Sequence, residues 1–204
     1  MKKVCENWEK VLLTTTCGPQ YFEEFEARAK QASAEIFRVK TPVEAKEIIT
    51  NLIKFTNAKK VVSVDNVLQQ ASGVNEELQA MGIELYTSQN DIAEHAETAD
   101  IGISGVEFGI AETGSVCQDA YAIESRLVSM LPPVHIAFMP SSRIVPGVEQ
   151  AFDVFSQVFQ RGYLSLITGP SRTADIERVL TIGVHGPSRF IVIAVDEPVS
   201  GGVA

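Results

Sequence analysis

The stretch V-V-S-V-D-N-V-L-Q-Q-A-S-G-V-N-E-E-L-Q-A-M-G-I-E-L-Y-T-S-Q-N-D-I-A-E-H-A-E-T-A-D-I-G-I-S (Val61 to Ser104) decides the fold. Its β-branched opening, Val61 to Val64, predicts a strand, and Asn66 to Met81 predicts a helix stopped at Gly82. Ile83 to Tyr86 predicts a second strand, Ile92 to Glu97 a short helix, and Asp100 to Ser104 a third strand. Strand and helix alternating at this spacing is the pattern of parallel βαβ units, so the expected class is α/β with a mostly parallel sheet flanked by helices.

The same alternation extends outward in both directions. Further strands are expected at Ile110 to Thr113, Val134 to Met139, Tyr163 to Ile167 and Phe190 to Val195. Between them Gly147 to Arg161 predicts a helix with Val148, Ala151, Phe152, Phe155, Val158 and Phe159 on its inner face and Gly162 as its stop. Toward the N-terminus, Gln20 to Ala34 predicts a helix presenting Phe22, Phe25, Ala29 and Ala32, followed by a short strand, Glu35 to Val39. In T-P-V-E, Thr41 is placed to cap a helix, Pro42 to start it, and Glu44 to close a capping box. Residues 1–34 therefore read as an N-terminal helical extension and 35–204 as the α/β domain.

Composition narrows the function. Of 204 residues, 45% are hydrophobic, enough for a full core. Seventeen basic against 26 acidic residues give a formal charge of −9 without a basic cluster, which argues against nucleic acid and anionic membrane surfaces. No apolar run reaches the roughly 20 residues of a membrane span, and Met1 to Leu13 mixes Lys, Glu and Asn, so a cytoplasmic location is expected. Cys5, Cys17 and Cys117 lack C-x-x-C spacing and suggest neither a disulfide framework nor a cluster or zinc site.

Three polar motifs interrupt the α/β pattern. In G-I-A-E-T-G-S-V (Gly109 to Val116) the lysine of a phosphate-binding loop is missing, Ser115 and Val116 standing in its place, and no G-x-G-x-x-G occurs anywhere. What remains is a predicted strand end carrying Glu112, Thr113, Gly114 and Ser115. Either the glycine admits a ligand beside a carboxylate able to act as acid, base or nucleophile, or the segment is a tight turn with Glu112 in a salt bridge. In T-G-P-S-R-T-A-D-I-E (Thr168 to Glu177), Gly169-Pro170 makes a turn and Thr173 is placed to cap a helix from Ala174, with Asp175 near its positive end. Capping leaves Ser171 and Arg172 unexplained, and a hydroxyl with a guanidinium beside free backbone N–H groups suits a carboxylate or a single phosphate. His135, in L-P-P-V-H-I (Leu131 to Ile136), reads either as a core histidine or as a ligand contact. His185, in G-V-H-G-P (Gly183 to Pro187), lies in a loop that gives packing no reason for it. His95 reads as a surface residue, and no metal-ligand spacing joins the histidines.

Taken in order from about Val61 to Val195, A-E-T-G-S-V, L-P-P-V-H-I, I-V-P-G-V-E-Q-A-F, and T-G-P-S-R-T-A-D-I-E with G-V-H-G-P together resemble the LUD-domain family, in its lactate-utilization branch. The resemblance implies a fold similar to the sugar-phosphate isomerase and CoA-transferase group. It also implies a role beside two iron–sulfur partner proteins in oxidising L-lactate to pyruvate, with the clusters in the partners and no cofactor in this chain. It carries over no catalytic residues.

Oxidising a hydroxy acid removes two electrons, which side chains alone cannot accept. This chain has no flavin or nicotinamide fingerprint and no cluster-binding cysteines, so the expectation is a subunit that binds the small carboxylate or organises the redox partners. Arg172 would pair the carboxylate, with Glu112 or His185 taking the hydroxyl proton and Thr113, Gly114, Ser115, His135, Gly169, Ser171 and Thr173 lining the ligand. Two alternatives stay open: a stand-alone CoA transferase or isomerase with Glu112 as nucleophile or base, and a ligand-sensing scaffold without chemistry.

Overall fold

The strand β12 (Arg189–Val195) reads R-F-I-V-I-A-V and is buried from Phe190 to its end, as a strand covered on both faces requires. In the computed structural model, which describes residues 2–173 and 181–196, it lies inside a six-stranded sheet. The order is β1 (Glu35–Val39), β12, β7 (Val134–Pro140), β4 (Ile101–Gly105), β2 (Lys60–Ser63) and β3 (Glu84–Tyr86), and every pairing is parallel. The mostly parallel, helix-flanked sheet expected from the βαβ pattern is what forms.

Residue alternation divides the two faces. Ile101, Ile103, Ile136, Phe138, Ile191 and Ile193 point to the side covered by α3 (Pro42–Thr56), α4 (Val67–Ser72) and α5 (Val74–Ala80). Ala137, Met139, Phe190, Val192 and Ala194 point the other way, against α2 (Phe22–Gln31) and a second sheet. Further along that face, Val62 and Val64 meet Ile92 of α6 (Gln89–His95) and Val128 of α7 (Ile123–Met130).

The second sheet runs β8 (Ile144–Val145), β5 (Phe108–Ile110), β6 (Ser115–Asp119), β9 (Leu164–Ile167), with the β5–β6 and β6–β9 pairs antiparallel. Phe108, Ile110, Cys117 and Val145 form a further core with Trp8 and Leu12 of α1 (Trp8–Thr14) and Ala151, Val154 and Val158 of α8 (Val148–Val158). A short antiparallel pair, β10 (Arg172–Thr173) with β11 (Thr181–Ile182), completes the described strands. Among the described residues no helix is long and apolar enough to cross a membrane.

The cap expected at Thr41 forms, with its return bond displaced by one residue. Thr41 caps α3 by accepting from the Glu44 backbone N–H, and the Glu44 carboxylate reaches back to the backbone N–H of Lys40, one residue ahead of the cap. Other expectations are corrected. The strand expected at Ile110 to Thr113 ends at Ile110, because the chain turns at residues 111–114 with Gly114 at φ +66° and returns as β6. The single helix expected from Asn66 to Met81 is two, divided at Gly73, whose φ of +67° breaks the helical path. In α8 the inward side is carried by Ala151, Val154 and Val158, and the expected core residues Phe152 and Phe159 are exposed. The helix α7 falls where no helix was expected.

Candidate functional site

The C-terminal ends of β2, β4, β7 and β12 open onto a cleft of about 370 Å³, the edge where open parallel sheets bind ligands. Its walls come from the residues that directly follow those strands, among them Val64 to Leu68, Val106 and Glu107, and Asp196, with Asp119 from the end of β6 and Arg143 from the loop before β8. Two glycines let the elements close up beneath it. A Cβ on Gly102 would lie 2.1 Å from the Val128 carbonyl oxygen, and one on Gly105 would lie 2.9 Å from the Asn66 Cβ.

At the floor, Ser104 and Ser125 border the cleft and belong to a buried polar group. Gln118 donates from Nε2 to Ser104 Oγ (3.1 Å) and to the Ser125 carbonyl (3.3 Å). Ser104 Oγ lies 2.8 Å from Nε2 of His135, which is fully buried and packed on Phe190. Burial alone holds the imidazole pKa down at about 3, so it is neutral. Ser104 Oγ accepts from Gln118 and keeps a second lone pair and its own hydrogen, so its role toward Nε2 follows the imidazole tautomer. His135 Nδ1, Gln118 Oε1 and Arg126 Nε are buried side-chain atoms without a hydrogen-bond partner.

The wall carries the charge. Glu107 is 9% exposed, and burial pushes its carboxyl pKa up, with Asp119 adding to the rise and Lys3 and Arg143 opposing it. Lys3 Nζ sits 3.0 Å from its Oε1. Asp119 accepts from the Val4 backbone N–H (2.8 Å), the Trp8 indole (3.0 Å) and the Tyr121 backbone N–H (3.2 Å). Burial would lift Asp196, but hydrogen bonds from Ser141 and Arg38 bring its carboxyl below the ordinary value. Arg143 pairs with Glu9, whose side chain is 69% exposed. A buried carboxylate able to hold a proton, a fixed hydroxyl and an arginine whose partner is wet are groups that can bind and deprotonate a small polar molecule.

The residues singled out from the sequence lie elsewhere, His135 alone standing one hydrogen bond behind the cleft through Ser104. Glu112 is exposed, and its Oε2 accepts from the Val148 backbone N–H at 2.9 Å, capping α8 where Gly147 has no side chain to do so. At Gly114 what approaches the backbone is α2, since a Cβ there would lie 2.1 Å from Ala29 N. Thr113, Ser115 and Thr168 form a hydroxyl chain with steps of 2.8 and 2.7 Å. Gly169 abuts the Ala32 carbonyl, where a Cβ would lie 2.1 Å away, and Arg172 donates to Ser33 Oγ at 2.5 Å. The Ser171 backbone bonds Pro187 and Gly183, joining that stretch to the exposed His185 loop, and the Ser188 backbone bonds the Pro133 carbonyl. Thr173 pairs with Thr181 in β10 and β11, while the helix expected from Ala174, with Asp175 and Glu177, lies outside the described residues.

These motifs therefore gather at the opposite edge, around the C-terminus of α2 and the starts of β1, β7 and β12. Sequence reasoning missed Ser104, Glu107, Asp119, Arg143 and Lys3. The usable signal was position: Asp65-Asn66 and Val106-Glu107 follow directly after predicted strands. Nothing in the sequence marked Lys3 or Asp119. Among the described residues no group of three or more His, Cys, Asp or Glu gathers as a metal site.

Comparison with known proteins fits this architecture. A crystal structure of a DUF162 family protein from Deinococcus radiodurans superimposes with a TM-score of 0.61 at 22% identity, covering 86% of this chain and 96% of that one, which speaks to the fold. A protein of Halalkalibacterium halodurans named Lactate utilization protein C is 32% identical over 158 residues, 74% of this chain and 69% of that protein. One of the same name from Bacillus subtilis is 41% identical over 107 residues, 50% of this chain and 45% of that protein, so the match spans about half of that relative's length. Residues 22–195 match the LUD domain, and the chain belongs to the LUD-domain family.

Proposed function

We propose that this chain is a component of a lactate-utilization system in which the C-terminal-edge cleft binds a small 2-hydroxy carboxylate or its keto product. The observation that carries the reading is the presence of Arg143 and the buried carboxyl of Glu107 in one cleft at the C-terminal edge of the sheet. Arg143 can exchange its exposed partner Glu9 for a ligand carboxylate at little cost, because a surface ion pair contributes little. Glu107, its proton affinity raised by burial, is suited to accept a hydroxyl proton. Ser104, held by Gln118 and His135, offers the ligand a fixed hydroxyl. The names of the relatives support the choice of lactate.

In this reading the electrons pass to iron–sulfur partner proteins, and the chain supplies binding and proton handling. The kinship with the sugar-phosphate isomerase and CoA-transferase group, and the location in the cytoplasm, belong to the same proposal. A stand-alone transferase using Glu112 has less behind it, since that carboxylate is engaged as the cap of α8. The test is to isolate the tagged protein gently from its host, identify what accompanies it, and assay L-lactate oxidation with an artificial electron acceptor. Iron–sulfur partners and activity that disappears when this chain is omitted are expected. A partner-free, inactive preparation whose Glu112 yields a hydroxylamine-trapped acyl adduct with acyl-CoA overturns the reading in favour of the transferase.

A further inference from the structure

The segment Lys2–Asn7 reaches the cleft through Lys3 and lies ahead of the stretch, residues 22–195, that matches the family domain. It has neither helix nor strand of its own and is anchored at one end by Trp8, 3% exposed and packed with Phe108. Before Trp8 two contacts tie it to the cleft wall: the Val4 backbone N–H on Asp119 and the Lys3 ammonium on Glu107. Cys5 adds a partly buried contact with the core around Trp8, and a segment without regular structure held by so few contacts opens at low free-energy cost.

Charge gives that segment a role. Five carboxylates border the cleft, Glu9, Asp65, Glu107, Asp119 and Asp196, against two cations, Lys3 and Arg143. Asp196 is paired with Arg38 and Asp65 is bonded by Asn75, so both have partners without Lys3. Glu107 is different, because the cation within salt-bridge distance of this buried carboxylate comes from the strap. If Lys3 leaves, Arg143 alone offsets the charge of this carboxylate, and an anion entering beside Arg143 competes with Glu107 for it in a poorly solvated wall, where like charges repel strongly.

We propose that Lys3 is a specificity-determining residue of the cleft, delivered by an N-terminal strap: docked, it neutralises Glu107 and lets a carboxylate enter beside Arg143; lifted, it leaves an acidic cleft that refuses anions. This rests on the reading of the cleft as a carboxylate site. Lys3 acts through Glu107 and is a positioning residue, not a catalytic one.

The test compares the wild-type chain with Lys3→Gln and Lys3→Arg by two readouts. Amide exchange at Val4 reports strap docking, and NMR titration with L-lactate and, separately, pyruvate reports anion entry. Lys3→Gln is expected to raise Val4 exchange and weaken binding of either anion about tenfold, the scale of one charge-assisted hydrogen bond, with Lys3→Arg restoring both. Equal binding by wild type and Lys3→Gln overturns the inference while leaving the carboxylate site standing. Unchanged Val4 exchange in Lys3→Gln overturns it as well, since the strap is then not latched by Lys3. Wild type that binds neither anion removes the carboxylate reading and this inference together.

Discussion

The two edges of the parallel sheet use polar residues in opposite ways. At the N-terminal edge, glycines, serines and threonines in distinctive motifs let the protein's own backbone close on itself: Gly114 receives α2, Gly169 receives the Ala32 carbonyl, and Ser171 is tied to the His185 loop through main-chain bonds. At the C-terminal edge, residues in unremarked sequence are buried beside open space, with Glu107 and Ser104 kept from solvent around a cleft. Small residues in a loop thus mark close backbone approach, whether what approaches is a ligand or another helix. A buried ionisable group next to a cavity is the more discriminating sign of chemistry, because burial without purpose is costly.

The comparison breaks most readily at Gly114. Gly114→Ala places a Cβ 2.1 Å from the backbone nitrogen of Ala29 in a residue held at φ +66°. Both the left-handed backbone and the overlap with a main-chain atom oppose it, and a loss of about 3 kcal/mol or more is expected. Urea denaturation measures this. A variant of wild-type stability that has lost ligand binding would instead mean that the turn faces a ligand.

Next in size is the contrast of two glutamates. Glu107→Gln is expected to lower L-lactate oxidation by the assembled system roughly a hundredfold, the lower range for removal of a general base. Glu112→Ala is expected to leave that rate unchanged and to cost about 1 kcal/mol of stability, as loss of a helix cap does. Rates and denaturation curves taken on the same preparations separate the two effects, and the reverse pattern would transfer the site to the other edge.

His135 sharpens the picture through pH. Its folded pKa, about 3, lies below the ordinary value of 6.5, so the unfolded chain takes up the proton first as pH falls. The neutral imidazole's contribution is fully present above the unfolded value and is lost progressively between there and the folded value, by about 1.4 kcal/mol per pH unit. Unfolding free energies measured across that window should show this slope in the wild type, and His135→Gln should flatten it. An unaltered slope would mean that the imidazole is reached by solvent and that the floor of the cleft is not sealed.

How much of this was legible follows the same division. The parallel sheet could be read because strands buried on both faces, such as Val61 to Val64 and Phe190 to Val195, are continuous apolar runs separated by amphipathic helices. The β5–β6 hairpin was missed because Ile110 to Thr113 has strand composition right up to a turn that only the packing of Gly114 on α2 explains. Phe152 and Phe159 were assigned inward because α8 has more large apolar residues than its buried face uses. Of the candidate site only the general rule was legible, that ligands bind beyond strand ends; the motifs chosen by residue type lie at the other edge. Lys3 and Glu107 are 104 residues apart in sequence and meet only because a strap without regular structure reaches the sheet edge.

The smallest expected effect tests the N-terminal edge directly. Arg172 is exposed and donates to Ser33, itself in a left-handed turn at φ +67° after α2. Removing an exposed side chain of this kind changes stability by at most about 0.5 kcal/mol. If the cleft is where the ligand binds, Arg172→Ala, His185→Gln and the double variant all keep wild-type L-lactate oxidation and wild-type anion affinity. A loss on the scale expected of Glu107→Gln would show that the guanidinium leaves Ser33 to hold a carboxylate, as residue type alone suggested. The N-terminal edge would then be the working face, and the cleft would be a solvent-filled consequence of strands ending together. Either result assigns the edges, because the two sets of residues are linked only along two strands that run from one edge to the other, β7 with His135 and β6 with Ser115 at its start and Asp119 at its end.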